Sequence, residues 1–120
     1  MTSYVVLLPG DEAVWERAAE DERQAVYAKH TEFADALAAR GHKVTGGAEL
    51  THSREARVVR RGGDGIAITE GPYAETVEQL TGFYLVESDD LDDLLDCVGF
   101  LAGADGGVEV RAAVAGAEAR

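Results

Sequence analysis

His30 carries the side chain best suited to acid–base chemistry, because an imidazole exchanges protons near neutral pH without a large shift of its pKa. It lies between Val26 and Phe33, at a spacing that places it on the apolar face of a predicted helix. A buried imidazole needs hydrogen-bond partners for its ring nitrogens. His30 is therefore either a catalytic group or a core histidine bonded to a backbone carbonyl or a tyrosine hydroxyl.

A second set of reactive side chains lies in residues 69–84, which are rich in acids, glycine and tyrosine. Glu70 follows a predicted strand and precedes the rigid Gly71-Pro72 turn, which would hold its side chain at the rim of a sheet. Glu75 and Glu78 are three residues apart and would share a face if they lay on a helical turn. Paired carboxylates can act as acid and base or bind a divalent cation. The alternative is a loop whose acids face water.

Strands and helices alternate in the order expected of an α+β domain that would position these groups. Strands are predicted at residues 4–8, 42–50, 56–61, 66–69, 82–87 and 108–112, and helices at 12–19, 20–40 and after Ser88. This order favours a ferredoxin-like split β-α-β fold with a mostly antiparallel sheet. Helices would cover one face of that sheet, yet residues 4–8 and 83–86 are apolar on both faces. A homodimer that covers the other face is therefore predicted.

Glycine, proline and serine mark the expected boundaries of these elements. Pro9-Gly10 should end the first strand, Gly41 should end the long helix, and Gly46-Gly47 should form a bulge. Ser88 is expected to cap the last helix, whose first turn is acidic. A turn is expected at residues 104–107, before the last strand.

Acidic residues outnumber basic ones, 23 to 11, for a net charge of −12 over 120 residues. Twelve of those acids lie between Arg61 and Arg111, a stretch without Lys or Arg. This balance argues against nucleic acid as a partner, which needs clustered basic residues. No apolar run approaches the roughly 20 residues of a membrane span, and a single cysteine, Cys97, fits a reducing cytoplasm. One domain is predicted at residues 1–113, with a flexible tail at 114–120.

Residues 70–80, Glu-Gly-Pro-Tyr-Ala-Glu-Thr-Val-Glu-Gln-Leu, resemble the signature of the DGPF-type YCII-related family. That signature reads Asp-Gly-Pro-Phe followed by Ala-Glu-Thr-Lys-Glu-Gln-Leu, so this chain differs at Glu70, Tyr73 and Val77. Further matches extend the resemblance over about Thr2 to Arg111. The resemblance implies a ferredoxin-like fold of the dimeric α+β barrel group, with a pocket between sheet and helices in each protomer.

Two functions remain open at this stage. The first is a cofactor-free lyase or isomerase in which His30 acts with Glu70 or Glu49 as the acid–base pair. The side chains expected to bind its small anionic or cyclic ligand are Tyr4, Glu49, Tyr73, Glu75, Glu78, Tyr84 and Arg111. The second is a non-catalytic ligand-binding module or regulatory partner in an extracytoplasmic-function sigma-factor circuit, a setting that the resemblance implies. Neither function is expected to need a metal or an organic cofactor, since no zinc-ligand spacing is present.

Overall fold

A computed structural model describes residues 1–103 and 106–115 of the chain. The elements are, in chain order, β1 (Thr2–Asp11), α1 (Glu12–Arg17), α2 (Glu20–Ala39), β2 (Lys43–Glu49), a 3-10 turn (Ser53–Glu55), β3 (Arg57–Gly62), β4 (Gly65–Glu70), β5 (Glu78–Ser88), α3 (Leu91–Val98) and β6 (Glu109–Ala112). The predicted α+β class is confirmed.

Four strands form an antiparallel sheet in the order β2-β5-β1-β6. The crossover from β1 to β2 runs through α1 and α2, and the crossover from β5 to β6 runs through α3, which is the predicted ferredoxin-like arrangement. The remaining strands, β3 and β4, pair only with each other as a hairpin. Its strands correspond to those predicted at residues 56–61 and 66–69, and the glycine-rich residues 62–65 form the turn between them.

Backbone irregularities interrupt two strands of the sheet, one toward each end of β5. β1 continues past the expected stop at Pro9-Gly10, and its register with β5 shifts between Leu8 and Pro9. The expected end was wrong because a bulge accommodates a proline, which lacks the N–H that a regular ladder needs. In β2 the predicted bulge is confirmed, since the register shifts between Val44 and Gly46.

The helix ends follow capping chemistry, with one correction. Gly41 has a φ of 84°, and the N–H of His42 donates to the carbonyl of Leu37 at 3.0 Å, which ends α2 as predicted. The cap of α3 is Asp90, whose carboxylate accepts the N–H of Asp93 at 3.1 Å. Ser88 was the wrong cap because it is the last residue of β5, two residues too early for the helix.

The core lies between the sheet and helices α2 and α3. Its fully buried members are Val6, Phe33, Leu37, Val86, Leu94, Cys97 and Val98. Side chains alternate along a strand, so Val5, Leu7 and Leu85 project from the opposite face, where each keeps part of its surface exposed. One face of the sheet thus supports the core, and the other presents apolar side chains outward.

Some sequence expectations fall outside the described residues. The turn expected at 104–107 includes residues 104 and 105, and most of the tail expected at 114–120 is also outside. Within the described ranges, no helix combines the length and apolar character needed to cross a membrane.

Candidate functional site

A cavity of about 1130 Å³ opens between α1 and α2 on one side and the ends of β1, β2 and β5 on the other. Its walls are mainly apolar and aromatic, and include Val14, Trp15, Val26, Tyr27, Leu50 and Leu101. A concave site with such walls and a few polar groups is typical of small-molecule binding.

The floor of the cavity is backbone, because β2 and β5 each place a glycine there, Gly47 opposite Tyr84 and Gly82 opposite Glu49. A Cβ added at Gly47 would lie 2.6 Å from the carbonyl oxygen of Phe83. A Cβ added at Gly82 would lie 2.9 Å from the carbonyl oxygen of Ala48. No side chain fits at either position without moving the neighbouring strand, so the strand surface remains open to a ligand.

His30 and Tyr84 form a hydrogen-bonded pair on the cavity wall. The Nδ1 atom of His30 lies 2.7 Å from the hydroxyl oxygen of Tyr84. The Tyr84 ring packs against Phe33 with 5.1 Å between ring centroids, which holds the hydroxyl in place. His30 thus has the tyrosine hydroxyl partner expected of a core histidine, and its ring also lines a cavity, as a catalytic group would.

Burial keeps both members of this pair uncharged near neutral pH. Partial burial lowers the pKa of the His30 imidazole, and the negative charge of Glu49 opposes that shift. Burial also raises the pKa of the Tyr84 hydroxyl. The pair therefore joins a neutral imidazole to a protonated phenol.

The second nitrogen of the His30 ring faces the cavity. Within residues 1–103 and 106–115, no hydrogen-bond partner is found for Nε2, and no buried side-chain nitrogen or oxygen is left unpaired. Nε2 is therefore in contact with open space. A ligand in the cavity can reach this atom directly.

Tyr27 and Glu49 form a second polar pair beside the first. The hydroxyl of Tyr27 donates to the carboxylate of Glu49 at 3.1 Å. Trp15 meets Tyr27 edge to face, with ring centroids 5.6 Å apart. Trp15 and Tyr27 were missed by the sequence analysis, although Tyr27 is three residues before His30 and shares its helix face.

Four of the predicted site residues line this cavity together: His30, Glu49, Glu78 and Tyr84. His30 lies on α2 and Glu49 at the end of β2, and Glu78 and Tyr84 lie at the start and in the middle of β5. The remaining predicted site residues do not line it, Glu70 included. Of the two carboxylates suggested as partners of His30, Glu70 lies outside the cavity and Glu49 lines it, while the hydrogen bond of His30 is made to Tyr84.

Glu70 and Glu75 line a separate cleft of about 270 Å³ beside the 3-10 turn. The Glu70 side chain is exposed and lies 4.0 Å from Arg57 on the neighbouring strand. Glu75 and Glu78 share no helical face, because the chain between β4 and β5 is a loop closed by Gln79, whose side-chain amide donates to the carbonyl of Ala74 at 2.8 Å.

Tyr4, Tyr73 and Arg111 lie away from the cavity. Tyr4 packs against the core, and Tyr73 is 83% exposed. Arg111 lies opposite Val5 on β1, which places it on the outward face of the sheet, and it pairs with Glu109 at 2.8 Å. The cation expected to neutralise an anionic ligand therefore projects away from the cavity.

A second histidine, His42, lies in the core near α3 and was not singled out from the sequence. Its Nδ1 lies 2.9 Å from the hydroxyl of Ser88, and its Nε2 lies 2.7 Å from the carboxylate of Asp93. The residue is only 7% exposed. With both ring nitrogens occupied inside the fold, His42 offers no atom to a ligand.

His42, Asp93 and Cys97 place three potential metal-ligand atoms within 4.8 Å of one another. The guanidinium of Arg40 lies 3.1 Å from the sulfur of Cys97 and 3.7 Å from Asp93. Hydrogen bonds to Cys97 and Asp96 raise the pKa of Arg40, so this group stays charged. The cluster therefore already holds a cation of the chain itself, and its electrostatics oppose a metal ion.

The comparisons agree with the fold and with the signature segment. The family model of the YCII-related domain matches residues 2–113. An uncharacterised protein of Rhizobium meliloti (strain 1021) is 35% identical over 119 residues, which covers 90% of this chain and 89% of that protein. The family match spans the elements that build the cavity.

Proposed function

This chain belongs to the YCII-related family, and we propose that it is a cofactor-free acid–base enzyme of the lyase or isomerase type that acts on a small molecule in the cavity. The observation that supports this proposal most is the uncharged His30–Tyr84 pair, 2.7 Å apart, on the wall of a cavity large enough to enclose a ligand. A general base must be unprotonated at working pH, and the lowered pKa of His30 meets that need.

In the proposed mechanism His30 removes a proton from the ligand at Nε2. The mechanism uses the tautomer with its proton on Nδ1, which donates to the oxygen of Tyr84 and leaves the Nε2 lone pair for a ligand in the cavity. The hydroxyl proton of Tyr84 is then available to a ligand oxygen that gains negative charge. The charge of Glu49, which favours the protonated imidazole, stabilises the imidazolium formed in this step.

The second half of the reaction returns the proton. In an isomerisation the imidazolium gives its proton to a different atom of the ligand, and no atom is gained or lost. In an elimination a leaving group departs from the carbon beside the one deprotonated, and the imidazolium proton leaves with it. Both outcomes use the same two side chains.

Proton exchange tests this proposal without knowledge of the natural substrate. A panel of small ketones, hydroxyketones and lactones is incubated with the protein in D₂O, and loss of the acidic C–H signal is followed by NMR. For any compound that exchanges, His30→Ala is expected to slow exchange by about 10²–10⁴-fold, with the melting temperature within a few degrees of wild type.

His52→Ala is the matched control, because His52 lines the separate cleft and not the cavity. It is expected to leave exchange unchanged. Equal exchange in wild type and His30→Ala would rule out His30 as the base. If His30→Ala unfolds the protein, His30→Gln keeps a polar side chain and tests the base in a folded chain.

One observation favours a second candidate function, a non-catalytic ligand-binding module. The hydrogen-bond partner of His30 is a tyrosine and not a carboxylate, and Glu70 of the signature lines another cleft. Such a module would serve as a small-molecule sensor or as a regulatory partner in a sigma-factor circuit. Saturable binding in the cavity without His30-dependent exchange of any panel compound would support this alternative.

We also propose that two copies pair through the outward face of the sheet. Val5, Leu7 and Leu85 project there and remain partly exposed, and burial of such a face is the usual reason for a symmetric dimer. Leu85→Arg is expected to give a monomer in sedimentation, whereas Ala28→Arg on the exposed side of α2 should remain dimeric. A wild-type chain that is monomeric at micromolar concentration would contradict this.

A further inference from the structure

The charged side chains on the described wall of the cavity all have the same sign. They are Asp11, Glu12, Glu22, Glu49 and Glu78, and no Lys or Arg accompanies them among the described lining residues. An anionic ligand would enter against this charge, and a cationic one would be attracted by it. The negative charge of the cavity wall therefore favours a cationic ligand.

Three of these acids are already committed to the backbone. Asp11 accepts the N–H groups of Ala13 and Val14 at the start of α1. Glu22 accepts the N–H of Ala19, and Glu12 accepts the N–H and hydroxyl of Ser53. Their charges contribute to the field in the cavity, but at least one oxygen of each carboxylate already accepts a hydrogen bond from the chain.

Glu49 and Glu78 are the acids best placed to contact a ligand. Both are exposed residues at strand ends that line the cavity, Glu49 at the end of β2 and Glu78 at the start of β5. Glu49 keeps one neutral contact, the hydroxyl of Tyr27. Glu49 lies opposite Gly82, four residues along β5 from Glu78, so the two carboxylates bring negative charge to different parts of the cavity wall.

The aromatic wall supplies an independent observation, because it already interacts with a cation of the chain. The guanidinium of Arg23 lies 5.2 Å from the centre of the Trp15 ring and donates to the Trp15 carbonyl at 2.9 Å. Aromatic rings attract cations through the negative potential of their faces. Arg23 already uses the Trp15 ring, so Tyr27 and Tyr84 are the rings that a ligand cation would meet in the same cavity.

We propose that the cavity binds a protonated amine with an apolar body, with Glu49 at the ammonium group, Glu78 adding to the negative field of the wall, and the aromatic wall around the rest. This inference rests on the proposed function only in that the cavity is the ligand site, since it does not depend on catalysis by His30. It also replaces the small anionic ligand expected from the sequence with one of opposite charge.

Three probes of equal shape test the inference: 4-phenylbutylamine, 4-phenylbutan-1-ol and 4-phenylbutyrate. At about pH 7.5 the first is a cation, the second is neutral and the third is an anion. Trp15 is the only tryptophan of the chain, so its fluorescence reports binding. The amine is expected to bind at least about tenfold more tightly than the carboxylate, with a difference that shrinks as salt is added.

Variants separate a local effect from the overall negative charge. Glu49→Gln and Glu78→Gln are each expected to reduce the preference for the amine over the carboxylate by about threefold or more. Glu32→Gln removes one charge from an exposed position of α2 outside the cavity and should leave the preference unchanged.

The outcomes distinguish this inference from the proposed function. If the alcohol binds but the amine binds no better than the carboxylate, the inference on charge is overturned and the cavity remains a ligand site. If Glu32→Gln reduces the preference as much as Glu49→Gln, the preference is non-specific and the inference also fails. If none of the three probes binds, the inference on the amine is overturned, and the acid–base proposal is decided by the exchange experiment alone. An amine preference without His30-dependent proton exchange supports the inference and overturns the acid–base proposal alone.

Discussion

His30 and His42 are two histidines of one small domain in opposite situations. His42 is almost fully buried, and its two ring nitrogens are held by Ser88 and Asp93. His30 is half-buried, and one nitrogen is held by Tyr84 while the other faces a cavity. A structural histidine therefore differs from one available for chemistry in how many of its ring nitrogens are hydrogen-bonded within the fold, and not in burial alone.

The largest effect expected from this comparison is the loss of His42. His42→Ala leaves Ser88 and Asp93 without their partner inside the fold and opens a void, at a cost of about 2–4 kcal/mol in the free energy of unfolding. His30→Ala should cost less than half of that, because its surroundings are already open. Urea unfolding measures the loss of stability in both variants. Equal losses would contradict the assignment of His42 as the structural histidine and His30 as the available one.

Removal of the hydroxyl partner of each histidine should show the same contrast in the free energy of unfolding, with smaller losses. Ser88→Ala deletes the hydroxyl of a residue that is 1% exposed and should lower the free energy of unfolding by about 1–3 kcal/mol. Tyr84→Phe deletes a hydroxyl beside the cavity, where water can replace it, and should cost about 1 kcal/mol or less. Thermal or chemical unfolding compares them, and a larger loss for Tyr84→Phe would reverse the assignment of the two pairs.

A still smaller effect is expected from the titration of His30. Its pKa in the folded chain lies below the ordinary value of about 6.5, so the unfolded chain takes up the proton first as the pH falls. The contribution to stability is therefore present above about pH 6.5 and is lost as the pH falls through the folded value. NMR titration of the ring measures the pKa, and His30→Gln should lose less stability than wild type between neutral pH and pH 5. A folded pKa above 6.5 would contradict the prediction.

The smallest effect is expected at Glu70. Its side chain is 80% exposed and 4.0 Å from Arg57, an arrangement that contributes less than about 0.5 kcal/mol. Glu70→Gln should leave the unfolding free energy and the affinity for an amine probe nearly unchanged. Loss of cavity binding in this variant would instead support the acid–base role expected from the sequence.

Much of the fold could be predicted because its signals are local. Apolar periodicity marks α2, a run of apolar residues marks β1, and a glycine-rich turn marks the β3–β4 hairpin, and each signal needs only neighbouring residues. The bulge at Pro9 and the cap at Asp90 were missed because they depend on the partner strand and on where β5 ends.

The candidate site could be predicted only in part, because its contacts join distant residues. The position of His30 on its helix face follows from spacing, but its partner Tyr84 is 54 residues away and depends on the register of β5. His42 and Asp93 are 51 residues apart for the same reason. The dense signature segment suggested Glu70, yet the hairpin pairs only within itself and ends in a separate cleft.

The glycine floor of the cavity has a consequence for how relatives of this protein can diversify. Any side chain at Gly47 or Gly82 collides with a carbonyl oxygen of the adjoining strand. Substitutions at these two positions are therefore expected to prevent folding and not to change the ligand preference. The facing residues of α1 and α2, such as Val14, Val26 and Tyr27, are partly exposed and tolerate exchange. New ligand preferences should therefore arise on the helical side of the cavity, above a strand surface that stays constant.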